Sequence, residues 1–148
     1  MRKYISLALV TILVMVGVMA YGSGRALADN GGRPISVDMA GSQEVPPADP
    51  DGTGTASFTF NPGLGQVCFE LTAQNIVTAT AAHIHRAPVG VVGPIVVPLV
   101  PPSSGTSSGC TSADRALVLD IIQNPDAYYV NVHNSVYPGG AIRGQLSK

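Results

Sequence analysis

Apolar and polar residues alternate along most of this chain, which is the pattern of strands that bury one face in a core. Six segments show the alternation most clearly, and their predicted core-facing members are Ile35/Val37/Met39, Ala56/Phe58/Phe60, Val67/Phe69/Leu71, Ile95/Val97/Leu99, Tyr128/Val130/Val132 and Ile142/Gly144/Leu146. Asn61-Pro62-Gly63 lies between the second and third segments and predicts a hairpin turn. About seven short strands in one domain predict an all-β fold, an antiparallel β-sandwich or barrel.

A further strand is expected from Ile76 to Ile84. Alternation divides its end into two faces, one with Thr80, Ala82 and Ile84 and the other with Ala81, His83 and His85. Two segments rich in Pro, Gly or Ser, at 41–54 and 103–109, are predicted to be loops.

The segment 112–123 is the one helical candidate. Ser112 is placed to cap it, while Ala113, Leu117 and Ile121 recur every four residues. Asn124-Pro125 is expected to end the helix. Because the segment is also rich in Val, Ile and Leu, a strand is the alternative.

The first 28 residues have the pattern of an export signal. Arg2 and Lys3 precede an uncharged run at 5–20, and Ala26-Leu27-Ala28 offers a small-x-small site for cleavage after Ala28. An uncleaved membrane anchor is the alternative, but the run is shorter than the ~20 residues of a spanning helix. We therefore expect a secreted or periplasmic protein with a flexible N-terminus at 29–34 and one domain at 35–147.

Composition and charge narrow the function classes. The chain has 148 residues, of which 11% are charged, and after Ala28 nine acidic side chains stand against five basic ones. A negative chain without a basic stripe is a poor nucleic-acid binder. No later segment is predicted to span a membrane. The chain carries no phosphate-binding or dinucleotide fingerprint, and Gly105-Thr106-Ser107-Ser108-Gly109 lacks the strand and helix that a nucleophile elbow needs.

The chain has two cysteines, Cys68 and Cys110. In an oxidising compartment a lone pair usually forms a disulfide, which we expect here. Thiolate ligation of a metal is the alternative, although no C-x-x-C spacing is present.

Several motifs resemble those of the CHRD domain, named after animal chordin and common in exported bacterial proteins. They occur in the family's order and are Gly41-Ser42-Gln43-Glu44-Val45-Pro46-Pro47, Ala82-His83-Ile84-His85, Gly93-Pro94-Ile95-Val96-Val97-Pro98-Leu99, Tyr129-Val130-Asn131-Val132-His133-Asn134, Pro138-Gly139-Gly140 and Ile142-Arg143-Gly144-Gln145-Leu146. Ala141 departs from the pattern, because the family more often has an acidic residue there. The resemblance implies an immunoglobulin-like or superoxide-dismutase-like fold and says little about activity.

His83, His85 and His133 are the only histidines. On a strand, residues two apart share a face with Cα atoms about 6.6 Å apart, so two imidazoles can reach one ion. A third from a neighbouring strand completes a three-nitrogen site, for which copper is the metal favoured by affinity. Tyr129, Asn131 and Arg143 are expected to support these ligands. The alternatives are histidines that only bond backbone groups or that face solvent.

The sequence leaves more than one function open. The first hypothesis is an exported protein that binds one copper ion and carries or sequesters it. The alternative is a non-catalytic module that binds an extracellular protein partner without metal. An oxidoreductase is a third reading, and three histidines are too few for the paired copper and zinc sites of a dismutase.

Overall fold

The computed structural model describes residues 32–148, so the predicted signal peptide lies outside the described residues. Eight strands and one α-helix make up the domain. The strands are β1 (Arg33–Ala40), β2 (Thr53–Asn61), β3 (Gln66–Gln74), β4 (Ala79–Arg86), β5 (Ile95–Leu99), β6 (Thr106–Ser112), β7 (Tyr128–Asn134) and β8 (Ile142–Gln145). The helix α1 spans Arg115–Gln123, and short 3₁₀ turns span Gly41–Gln43 and Pro125–Ala127.

All eight strands belong to one sheet, in the order β5-β4-β7-β8-β1-β2-β3-β6. Each pair of neighbours is antiparallel. The sheet curls so that its two end strands, β5 and β6, come near each other in an almost closed barrel. This confirms the predicted all-β class with one short helix. None of the helices in residues 32–148 is long and apolar enough to cross a membrane.

The core lies inside the curled sheet. The alternating apolar residues of the six predicted segments point into it, with the exception of Ile95, which is 53% exposed at the start of β5. Phe60, Leu71, Val130 and Leu146 are completely buried. Burying an apolar side chain of this size stabilises the folded state by roughly 2 kcal/mol. The inward face of the sheet is therefore the main source of stability. The outward positions of every strand are thereby free to carry other chemistry.

The helix closes one side of the core with Val118 and Ile121. Its predicted cap was wrong, because Asp114 rather than Ser112 caps it. The Asp114 carboxylate accepts from the backbone N–H groups of Ala116 and Leu117 at 2.8 and 3.2 Å. The helix ends before Asn124-Pro125, as predicted.

The predicted loop at 103–109 is also wrong in part. From Thr106 onward the chain forms β6, which pairs with β3 in the register Cys68↔Cys110. Ser and Gly have low strand propensity, so this edge strand owes its form to pairing rather than to its own sequence. The two cysteines are joined in the predicted disulfide.

Two strand boundaries differ from the predictions. Strand β4 begins at Ala79, and an irregularity in its pairing with β7 between Ala79 and Ala81 reverses the expected faces there. Ala79 is therefore buried, and Thr80 is exposed instead of facing the core. Nearer the N-terminus, β1 begins at Arg33, which pairs with Phe60, so this strand includes residues 33 and 34 of the predicted flexible segment. The predicted loop at 41–54 ends at Thr53, where β2 begins.

Candidate metal centre

The three histidines lie together on the outer face of the sheet. His83 and His85 project from β4, and His133 projects from β7, which pairs directly with β4. Ala81 stands opposite His133 and Asn131 stands opposite His83, so the imidazoles meet diagonally across the two strands. One nitrogen from each ring lies within 4.8 Å of the other two. Within residues 32–148 this is the one group of His, Cys, Asp and Glu so arranged.

Hydrogen bonds to backbone carbonyls orient two of the rings. Nδ1 of His85 lies 2.9 Å from the Gly93 carbonyl oxygen, and Nδ1 of His133 lies 3.0 Å from that of Pro138. A carbonyl only accepts, so in each neutral ring Nδ1 carries the proton and Nε2 keeps a free lone pair. Histidines that bind metals in proteins commonly have this arrangement, in which one ring nitrogen donates to a backbone carbonyl and the other binds the ion.

Two of the remaining nitrogens have the spacing of ligands to one ion, and the third lies nearby. Nδ1 of His83 lies 3.1 Å from Nε2 of His133. Two nitrogens bound to one ion at ~2.0–2.1 Å stand about 2.9–3.4 Å apart when the angle between them is 90–110°. Nε2 of His85 is buried and makes no hydrogen bond of normal geometry within the described residues, although the Asn131 side chain lies beside this ring. A buried lone pair without a partner is costly, and a metal ion would satisfy it.

Burial keeps the site neutral. Desolvation, together with the smaller effects of the neighbouring His133 and His85, lowers the pKa of His83 to about 4. Desolvation is also the main cause that lowers the pKa values of His85 and His133, against the opposing effect of their carbonyl hydrogen bonds. At neutral pH all three rings are therefore uncharged, which is the form that binds metal.

A stack of three flat groups fixes His85. Its ring lies parallel to that of Tyr129, with centroids 4.7 Å apart and an angle of 8° between the planes. On Tyr129 the Arg143 guanidinium carbon lies 3.4 Å from the ring centroid. Arg143 is 1% exposed and donates to the carbonyl oxygens of Val91 and Pro88 at 3.0 and 3.1 Å. Through these two hydrogen bonds it holds the loop at 87–94 over the site.

One neighbouring residue was not predicted. Glu44 is 7% exposed, and its side chain lies against that of Asn131, which itself neighbours His85. Burial raises the pKa of the Glu44 carboxyl, while Asn131 and the charge of Arg143 oppose the rise. An isolated glutamate in a proline-rich loop gives no sequence signal for such a position, apart from its place in the Gly-Ser-Gln-Glu motif.

The fold and this outer face define an all-β domain with a histidine cluster under its loops. The family model of the CHRD domain matches residues 35–146. Since the match covers most of the chain, the protein belongs to the CHRD domain family, as the sequence motifs indicated. A search of the curated proteins found no match, and neither did a search of the solved structures.

Proposed function

We propose that this protein is exported and binds a single metal ion, most favourably Cu(II), through His83, His85 and His133. The observation that carries the proposal is the convergence of three ring nitrogens within 4.8 Å of one another. The lone pairs at Nε2 of His85 and His133 support it, since the carbonyl bonds on their opposite nitrogens leave them available.

Copper is the proposed metal because of the donor set. Imidazole nitrogens suit copper, zinc and nickel, and Cu(II) has the highest intrinsic affinity of the three. The disulfide between Cys68 and Cys110 leaves no free thiolate within residues 32–148. A blue-copper centre, which needs a cysteine thiolate beside two histidines, is therefore outside the proposal. The disulfide also fits an oxidising compartment.

The proposed role is to hold and release the ion rather than to convert a substrate. His83 and His133 are only partly buried, so an ion can enter from that side. The protein's contribution is to keep three rings neutral and fixed, through burial, the carbonyl bonds and the stack on His85. The metal, when bound, would supply a positive charge and an accessible coordination position.

The rival proposal is a metal-free interaction module in which the histidines are structural. Its supporting observation is the contact between Nδ1 of His83 and Nε2 of His133, which can be an ordinary hydrogen bond between neutral rings. The two proposals differ in what happens at the buried Nε2 of His85, which the metal-free module leaves without a partner.

Calorimetric titration with Cu(II), followed by electron paramagnetic resonance, separates these proposals. We expect one tight equivalent with nitrogen couplings from imidazoles. His83→Ala is expected to weaken binding at least ~100-fold, since even outer partners of ligands are worth ~10–100-fold. Asp38→Asn is the control, because it removes an exposed carboxylate on β1, which β8 separates from the histidine strand β7, and it changes none of the three histidines. Equal binding in both variants, or none in the folded parent protein, would contradict the metal site.

A further inference from the structure

A cleft lies beside the histidine cluster, between the segment 44–48 and the turn at 136–140. Its volume is about 340 Å³, within the range of small-ligand sites. Its lining includes the apolar side chains of Val45, Pro46, Val136 and Pro138 beside an almost equal share of polar surface. Glu44 is the one charged residue among those that line it. The cleft thus combines apolar side chains, polar surface and a single carboxyl group.

The Glu44 carboxyl is buried without full compensation. Its Oε1 atom has no hydrogen-bond partner within the described residues. The one ion pair within 4.0 Å in residues 32–148 joins Arg86 to Asp120, so Glu44 has no such partner. Arg143 acts on it only at longer range, because its nitrogen atoms bond Val91, Pro88 and Gln145. A buried carboxylate in this state gains strongly from a cation or hydrogen-bond donor.

The space around this carboxyl depends on a glycine. Gly140 has a φ of +137°, and a Cβ atom there would lie 2.1 Å from Oε1 of Glu44. At the neighbouring Gly139, a Cβ atom would meet nothing within 4 Å. Gly140 therefore makes the room in which the carboxyl sits, whereas the cleft remains open at Gly139.

We propose that this cleft binds a small apolar amine, with the ammonium group paired to Glu44 and the hydrocarbon against the valine and proline walls. An ammonium group supplies a positive charge and a hydrogen-bond donor for Oε1, which the neighbouring Asn131 side chain and Val45 backbone leave without a partner. Burial raises the pKa of this carboxyl, and an adjacent cation offsets that effect by stabilising its charged form. An anionic ligand would meet the carboxylate's repulsion instead.

The test is a titration of metal-free protein with n-butylammonium, followed by amide NMR, with 1-butanol as the uncharged ligand of similar shape. We expect saturable binding in the millimolar range, which suits a ligand this small. The largest shifts should fall at Gly139 and Gly140. Glu44→Gln is expected to weaken the binding of butylammonium at least ~10-fold, because a charge-assisted hydrogen bond is lost. The affinity for 1-butanol should not change. Glu70→Gln, an exposed glutamate on β3, is the matched control and should bind as the parent does.

Several outcomes would overturn this inference. They are the absence of saturable shifts in the cleft, equal affinity of Glu44→Gln and the parent, or equal affinity of the parent for amine and alcohol. If Glu44→Gln does not fold, Val136→Lys tests the same point from an exposed position at the rim. The ammonium group of the new lysine should weaken the binding of butylammonium several-fold, by repulsion or by filling the cleft. An unchanged affinity would contradict the proposal. Because no metal is present, the result is independent of the copper proposal.

Discussion

The two halves of the sheet bury the same kind of inner face but use their outer faces differently. On β1, β2, β3 and β6 the outer positions carry many small polar residues, such as Ser36, Ser57 and Ser108, and most of them are open to solvent. On β4, β7 and β8 the outer positions carry the histidines, Asn131 and Arg143. Loops bury His85, Asn131 and Arg143 and leave His83 and His133 partly exposed. We call these the open half and the covered half.

This difference shows that loops packed over the outer face set the candidate site apart from the rest of the sheet surface. The alternating pattern of the strands is the same in both halves. In the open half, Thr55 and Thr72 bond each other at 2.8 Å, and solvent can replace that bond. In the covered half each polar group needs a defined partner, because water is largely excluded. Losses of polar groups should therefore cost far more stability in the covered half, and the following predictions test this.

The largest effect is expected from Arg143→Ala. This change leaves the Val91 and Pro88 carbonyls without their donor and removes the group stacked on Tyr129. We expect a loss of about 3–5 kcal/mol in the free energy of unfolding. Urea denaturation measures it, with exposed Arg33→Ala on β1 as the control, which should change stability by less than about 0.5 kcal/mol. Similar losses for both arginines would remove the distinction between the halves.

A pair of glycines gives the next largest contrast. Gly140→Ala places a methyl group against the Glu44 carboxyl at a positive φ, so it should cost about 2–3 kcal/mol. Gly109→Ala lies on β6 in the open half, where the new atom would be 3.4 Å from the nearest Phe69 carbon. We expect it to change stability by less than about 1 kcal/mol. Thermal unfolding of both variants checks the prediction, and a milder effect at Gly140 than at Gly109 would refute it.

The covered half should also make stability depend on pH in metal-free protein. The pKa values of all three histidines are lowered, that of His83 to about 4, whereas unfolded histidines titrate near 6.5. As pH falls below 6.5 the unfolded chain binds protons that the native site refuses, so stability is lost progressively toward pH 4. After allowance for solvent screening, we expect about 1–2 kcal/mol from His83.

Urea midpoints between pH 7.5 and 4.5 and histidine NMR titrations measure this effect. His83→Asn should flatten the decline, since Asn does not titrate. Native-state midpoints at or above 6.5 for these histidines would contradict the prediction.

The smallest effect is expected in the open half. Thr55→Val keeps the branched shape of the side chain and removes one hydroxyl of the exposed Thr55–Thr72 pair. We expect a change within about 0.5 kcal/mol, because water can bond the remaining hydroxyl. Chemical denaturation checks this, and a loss above 2 kcal/mol would mean that the open half is constrained like the covered one.

The sequence predicted the inner face better than the covering of the outer one. Alternation depends on local burial, so β2 and β3 could be assigned from Phe58, Phe69 and their neighbours. The strand β6 was not predicted, because its Ser and Gly residues form a strand only through pairing with β3. The pairing irregularity near Thr80 is likewise a property of two strands together.

The candidate site, like the fold, was predictable from the sequence only where its geometry depends on a single strand. His83 and His85 share a face because they are two residues apart, and this follows from strand geometry alone. Their meeting with His133 depends on the pairing of β4 with β7, which are about fifty residues apart in the chain and have no local signal. Glu44 could not be placed, because its burial results from loops packed over the sheet.

The most direct test of the central claim is a crystal of the protein soaked in Cu(II), with anomalous scattering recorded at the copper edge. We predict one strong peak bonded to ring nitrogens of His83, His85 and His133, with the contact between His83 and His133 replaced by bonds to the ion. A cluster still joined by that hydrogen bond, with copper absent or only on surface carboxylates, would contradict the account.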